Sequence, residues 1–265
     1  MCFRPMRYGQ TSAPRRQQGG YVLVIMLVII VTGSLYGLLD RLNVNAAETS
    51  RVTVTNNALK QAREALLAYA AMHKGLLPCP DMAYDDPSPL KMIGTGASSC
   101  SSNGSIGLLP VRNLGLPDLR DGDGNCLWYA LSGTHRINGS LAPTDSTVAQ
   151  YEVLDALGTT LVSKTGTEKG AAAIILAPGV ATEAQARTPV AYKSCGTDSS
   201  QASTHLESTI TQFTTGTLKS ATGTLLKNDQ LTWLTAAKIR QVAQKLTPDD
   251  STPCVDDGDS CDGDD

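Results

Sequence analysis

Large aromatic side chains are scarce in this chain. Two Phe, two Trp and eight Tyr make up 5% of 265 residues. So few of them suit a secreted, loop-rich domain better than a dense cytosolic enzyme. Histidine is rarer still: His73, His135 and His205 stand far apart, and no C-x-x-C pair accompanies them. That argues against a zinc site. The patterns G-x-S-x-G, H-E-x-x-H and G-K-[ST] are all absent, and no Ser or Cys has a nucleophile setting, so the chain reads as a non-enzyme. Basic residues number 22 against 25 acids, for a net charge of −3, and no basic patch points to nucleic acid. Acidic residues are missing altogether before Asp40, and between Tyr21 and Leu39 there is no charge of either sign.

That uncharged stretch, YVLVIMLVIIVTGSLYGLL, holds nineteen residues. As a helix it would be about 28 Å long, against a bilayer core of roughly 30 Å. Arg4, Arg7, Arg15 and Arg16 precede it. The positive-inside rule then expects a single-pass helix over 21–39, with residues 1–20 in the cytoplasm and the rest beyond the membrane. Gly33 and Gly37 lie four apart and would let another helix approach closely on one face.

Seven cysteines are present. Cys2 precedes the apolar run; Cys79, Cys100, Cys126, Cys195, Cys254 and Cys261 follow it. An even number on an oxidising side reads as disulfides. Six cysteines allow fifteen pairings, and sequence does not choose among them. Local spacing favours Cys79–Cys100 and Cys254–Cys261, which leaves Cys126 with Cys195.

Residues 40–74 are expected to extend the helix. Leu59, Ala62, Leu66, Ala70 and His73 fall on one stripe, with Lys60, Arg63, Glu64 and Lys74 elsewhere. The β-branched run Val52–Thr55 is the weakest part of that pattern. Gly75 and Pro78 end it. A head over 75–246 follows. Residues 82–105 read as a long loop, Cys126–Ser132 and Ala171–Ala177 as strands, and Thr188–Tyr192 as a short strand. Residues 193–215 read as mostly loop, 216–227 as a hairpin and Gln230–Leu234 as a strand. Thr235 is placed to cap a last helix with Ile239, Val242, Ala243 and Leu246 inside. The tail 247–265 is acidic and reads as solvated and disordered. Asp121, Asp123 and Asn125 offer oxygens at alternate positions, as a hard cation needs, or else form an ordinary turn. Asp256, Asp257, Asp259 and Asp262 offer a weaker, flexible version of the same chemistry. No other cofactor is expected.

Arg15-Arg16-Gln17-Gln18-Gly19-Gly20 followed by an apolar helix resembles the leader of type IV pilins and type II secretion pseudopilins. The resemblance extends to ALLAYAAMHKGLLPCPD, GLLP, LGLPDLRDGDGNCLWYALSG and AAAIILAPG. It implies an α+β, pilin-like fold: a long membrane-spanning helix of about 80 Å packed on a head with a small antiparallel sheet. Processing by prepilin peptidase is implied between Gly20 and Tyr21, or after Gly19, with methylation of the new N-terminus. Calcium is common in the heads of such proteins. Ile25 stands where most members carry Glu at the fifth mature position, which fits a minor subunit at a fibre tip. The expected role is a structural subunit of a type IV pilus or type II secretion system, held in the bacterial inner membrane with its head in the periplasm. Its expected partners are other pilin or pseudopilin subunits. The competing reading is a Sec-secreted or anchored periplasmic binding protein or enzyme, cut after Val44-Asn45-Ala46.

Overall fold

The computed structural model describes residues 19–82, 94–138, 141–185, 202–207 and 211–246, with side-chain surroundings omitted at 19–20, 37–45, 202–203 and 246. The leader, the expected strand at 188–192 and the acidic tail lie outside the described residues, as do Cys195, Cys254 and Cys261. The chain divides into two compact units, residues 1–49 and 50–265.

The described part of the first unit belongs to helix α1, Gly19–Met72. The expectation of a membrane-spanning helix is corrected here, and the single-pass inner-membrane placement that rested on it falls with it. Among the described residues no helix is long and apolar enough to cross a membrane. The unbroken apolar run from Tyr21 to Val31 covers about 16 Å of helix, roughly half a bilayer core. Thr32, Gly33 and Ser34 follow it, and the side-chain surroundings of residues 37–45 lie outside the described residues.

In the second unit the remainder of α1 buries a narrow stripe. Thr55, Ala58, Leu59, Ala62, Leu66 and Ala70 are all under 9% exposed. Their spacing of three and four residues is one helical face. Small and large side chains alternate along it, so the helix can sit close to a sheet. The β-branched run does not break the helix. Thr55 donates its hydroxyl to the Arg51 carbonyl at 3.0 Å and packs inward. The helix ends where Gly75, at φ +83°, donates its N–H to the Ala70 carbonyl at 2.8 Å.

Among the described residues the head has three sheets where one small antiparallel sheet was expected. The main sheet is four-stranded, in the order β1 (Ser105–Leu108), β2 (Trp128–Leu131), β5 (Ala171–Ala177), β9 (Gln230–Thr235), all antiparallel. A second sheet runs β4 (Thr160–Val162), β3 (Glu152–Asp155), β6 (Gln212–Thr215), and its β3–β6 pair is parallel. The third is a hairpin of β7 (Leu218–Lys219) and β8 (Leu225–Lys227). A short helix, α2 (Ala202–His205), precedes β6, and α3 (Ala236–Leu246) follows β9 directly.

Strand β5 shows why the main sheet is central. All seven of its residues are buried, because both faces are covered. Ala173, Ile175 and Ala177 join Tyr129, Leu131 and Leu234 in a core with the α1 stripe and Ile239 of α3. Ile174 and Leu176 join Trp128, Ala130 and Leu231 on the opposite face, against Val153, Val162, Phe213 and Leu206. Tyr151 lies within this second core. It meets Phe213 edge-on at 5.1 Å and donates its hydroxyl to the Leu131 carbonyl at 2.8 Å.

Candidate functional site

The most unusual surface lies in the first unit. From Tyr21 to Tyr36 every residue is exposed, including Leu23, Met26, Leu27, Ile29, Ile30 and Leu35 at 57–66%. Apolar side chains point in all directions. A helix that is hydrophobic all round is normally buried all round. The two hydroxyls in the stretch do not change its character. Thr32 donates to the Val28 carbonyl at 2.7 Å, and Ser34 to the Ile30 carbonyl at 2.7 Å. Their protons are consumed within the helix, so the stretch presents little for a polar partner to bind. Ile25 is 40% exposed and Tyr21 75%. Nothing lies within 4 Å of the position a Cβ would take at Gly33, so that backbone is open to close approach. Gly20 belongs to α1, but its surroundings and those of Gly37 lie outside the described residues.

The second feature is the loop before β2. Asp121 is 3% exposed, and its carboxylate is occupied by donors from the protein itself. Oδ1 accepts the N–H groups of Asp123 at 3.0 Å and Asn125 at 2.8 Å. Oδ2 accepts the N–H of Gly179 at 2.9 Å, and the Asn125 side-chain amide donates at 3.1 Å. The same amide group reaches the Gly179 carbonyl at 2.8 Å. Asp121 thus ties its own loop to the end of β5. Asp123 turns elsewhere, pairing with Arg51 of α1 at 3.3 Å. The three oxygen residues singled out for calcium are thus engaged within the protein, Asp121 by its own loop and Gly179, and Asp123 by Arg51. Among the described residues no group of three or more His, Cys, Asp or Glu is placed to hold a metal.

This loop also grips the helix. Gly122 donates its N–H to Thr55 Oγ1 at 2.9 Å, and a Cβ on Gly122 would fall 2.2 Å from the Arg51 carbonyl oxygen. Only glycine lets the loop backbone lie this close. Thr55, Gly122 and Gly179 escaped the sequence reading. The one signal for Thr55 was its position on the Leu59–Leu66 stripe.

Cys79 and Cys100 are joined by a disulfide, with Cα atoms 5.8 Å apart. Cys126 is also disulfide-bonded. His73 stacks on Tyr69 at 3.8 Å, with its Nδ1 2.8 Å from the Tyr69 carbonyl oxygen. His205 lies against Trp128 at 5.5 Å. His135 is fully buried, and its Nε2 has no hydrogen-bond partner among the described residues. Burial holds its pKa down to about 4 from an ordinary 6.5. The three imidazoles are held by different parts of the head and do not form a common site. No protein-family model matches this chain, no curated protein matches it, and no solved structure matches it.

Proposed function

We propose that this chain is a minor pilin-like or pseudopilin-like structural subunit, non-enzymatic, that assembles into a fibre of a type IV pilus or type II secretion system through its N-terminal helix. One observation carries the reading: the uninterrupted exposure of apolar side chains from Tyr21 to Tyr36. Such a surface costs free energy in water, at about 25 cal/mol for each Å² of apolar area. A fibre core of like helices removes that cost on all sides at once, which a groove on a single globular partner does not. The prepilin-like Gly19-Gly20-Tyr21 junction supports the same reading, with prepilin peptidase as the processing partner. Ile25 supports a tip or initiating position. A carboxylate buried among helices needs a partner charge, and Ile25 needs none.

Mass spectrometry of the mature N-terminus, together with crosslinking of an Ile29→Cys chain expressed with its fibre partners, tests the proposal. The expected result is a methylated Tyr21 and a helix-to-helix crosslink. A chain beginning at Ala47 would overturn it, because the whole apolar stretch would then be gone.

A further inference from the structure

The two edges of the main sheet are finished differently. At the β1 edge the chain supplies its own cover: Asp81 N–H donates to the Leu108 carbonyl at 2.9 Å and Leu108 N–H returns the bond at 3.0 Å. The Cys79–Cys100 disulfide sits two residues from that pairing. At the β9 edge no strand is paired outside it among the described residues.

Which β9 groups face outward follows from the ladder. In an antiparallel pair the N–H and C=O of one residue point to the same side, and successive residues alternate. Ser132 N–H donates to the Ala172 carbonyl at 2.8 Å, so the even-numbered residues of β5 face β2 and the odd ones face β9. Ala173, Ile175 and Ala177 oppose Leu234, Thr232 and Gln230. Leu231 and Trp233 therefore direct their backbone groups away from the sheet. An independent contact agrees. The Trp233 carbonyl accepts a bond from Arg63 Nε of α1 at 3.2 Å. Among the described residues nothing pairs with the N–H or C=O of Leu231 or with the N–H of Trp233.

We infer that the outer edge of β9 is a self-association edge, that its occupant is β9 of a second copy of this chain, and that Arg63 guards it. The inference goes beyond the fibre proposal and stands without it. An exposed strand edge is a template for another strand, and natural proteins block such edges with a charge. The Gln230–Thr235 segment carries no charge of its own, so with Arg63 displaced two copies meet without repulsion. Its outward residues flank Thr232 symmetrically. A two-fold axis at Thr232 sets Leu231 opposite Trp233 of the other copy, and each such pair exchanges two hydrogen bonds. The guanidinium of Arg63 occupies one carbonyl of this set and puts the charge against the edge.

The geometry gives a register-specific test in the full chain. Thr232 meets its own counterpart as a non-hydrogen-bonded pair, with Cα atoms about 4.5 Å apart, within disulfide range. Full-length Thr232→Cys, with and without Arg63→Ala, is oxidised and run without reductant, with Gln241→Cys on the exposed side of α3 as control for association through other surfaces. The Arg63→Ala background should give at least ~10-fold more crosslinked dimer at position 232 than at 241, and removing Arg63 should raise the yield at 232. Equal yields at 232 and 241 in both backgrounds would overturn the inference, as would a crosslink to a different protein. Amide exchange as a function of chain concentration gives a second test that needs no crosslink. At low chain concentration the Leu231 and Trp233 amides should exchange faster than those of Thr232 and Leu234, and in the Arg63→Ala chain that difference should shrink as concentration rises; a difference unchanged by concentration there would also overturn it.

Discussion

Two stretches of one helix follow opposite rules. From Tyr21 to Tyr36, α1 is aliphatic on every side and exposed on every side. From Thr55 to Ala70 it is aliphatic on one stripe, and that stripe is buried under the main sheet, while Lys60 and Glu64 face solvent 3.9 Å apart. The second stretch has the amphipathic pattern that one folded chain can satisfy alone. The first has a pattern that no single chain of this size satisfies. Folding information thus occupies one segment of the element, and the proposed function assigns assembly to the other. The clasp of Gly122 and Asp123 on Thr55 and Arg51 belongs to the folding segment.

The sharpest way to break this contrast is to damage the buried stripe. Leu66 is fully buried in the core shared by α1, Tyr129, Leu131 and Ile175. Leu66→Ala removes three carbon atoms from a packed site and leaves a cavity, so it should destabilise the head by roughly 2–5 kcal/mol. Denaturant unfolding followed by Trp fluorescence measures it. A loss below about 1 kcal/mol would mean that the stripe is not a core face.

Acid should act on the same side of the comparison. His135 is held neutral, with its pKa lowered from 6.5 to about 4 by burial. The unfolded chain therefore binds more protons than the folded one between those two values. Stability from this group is complete above pH 6.5 and is lost as pH falls toward 4. The drop is at most about 3.5 kcal/mol, since each tenfold change in proton affinity is worth about 1.4 kcal/mol. His135→Gln should flatten the pH dependence of unfolding over that window. An unchanged slope in the variant would assign the acid sensitivity to other groups.

The sequence made the apolar elements legible and left the polar long-range ones hidden. Ala171–Ala177 is readable because seven apolar residues end in Pro178-Gly179, and the structure gives β5 the same limits. The last helix is readable from Thr235, whose hydroxyl accepts the Lys238 N–H at 3.2 Å. By contrast, β6 falls in a segment that reads as loop, because Gln212, Thr214 and Thr215 carry no apolar alternation. It becomes a strand by pairing in parallel with β3, sixty residues earlier, and only Phe213 of its four residues is buried. Strands β3 and β4 are short and half-exposed and give no periodic signal of their own. At the candidate site the exposed run was visible as an unbroken line of Val, Ile and Leu. The clasp was not, since Thr55 and Gly122 lie 67 residues apart and Asp121 and Gly179 lie 58 apart. Spacing within the turn offered a cation site or an ordinary turn, and it gave no sign that Asp121 also accepts the Gly179 N–H from the end of β5.

The smallest effect on folding should come from the other half of α1, and it sharpens the comparison most. Ile29 is 62% exposed within a stretch where no side chain is covered. Gln has a helix propensity at least as good as Ile, so Ile29→Gln leaves the helix intact. It removes no buried contact, and head stability should change by less than about 0.5 kcal/mol, as for surface substitutions generally. Assembly is a different matter. If neighbouring helices bury position 29, the variant forfeits roughly 1.5–3 kcal/mol of apolar burial for each subunit and places an amide in an apolar core. That is a tenfold to hundredfold loss in association. Unfolding of the head and incorporation of the chain into fibres are therefore measured on the same variant. A stable head with lost incorporation separates the two halves of the helix by function. Unimpaired incorporation would show that the exposed run has another use, because no assembly that buries it can take up a glutamine there without cost.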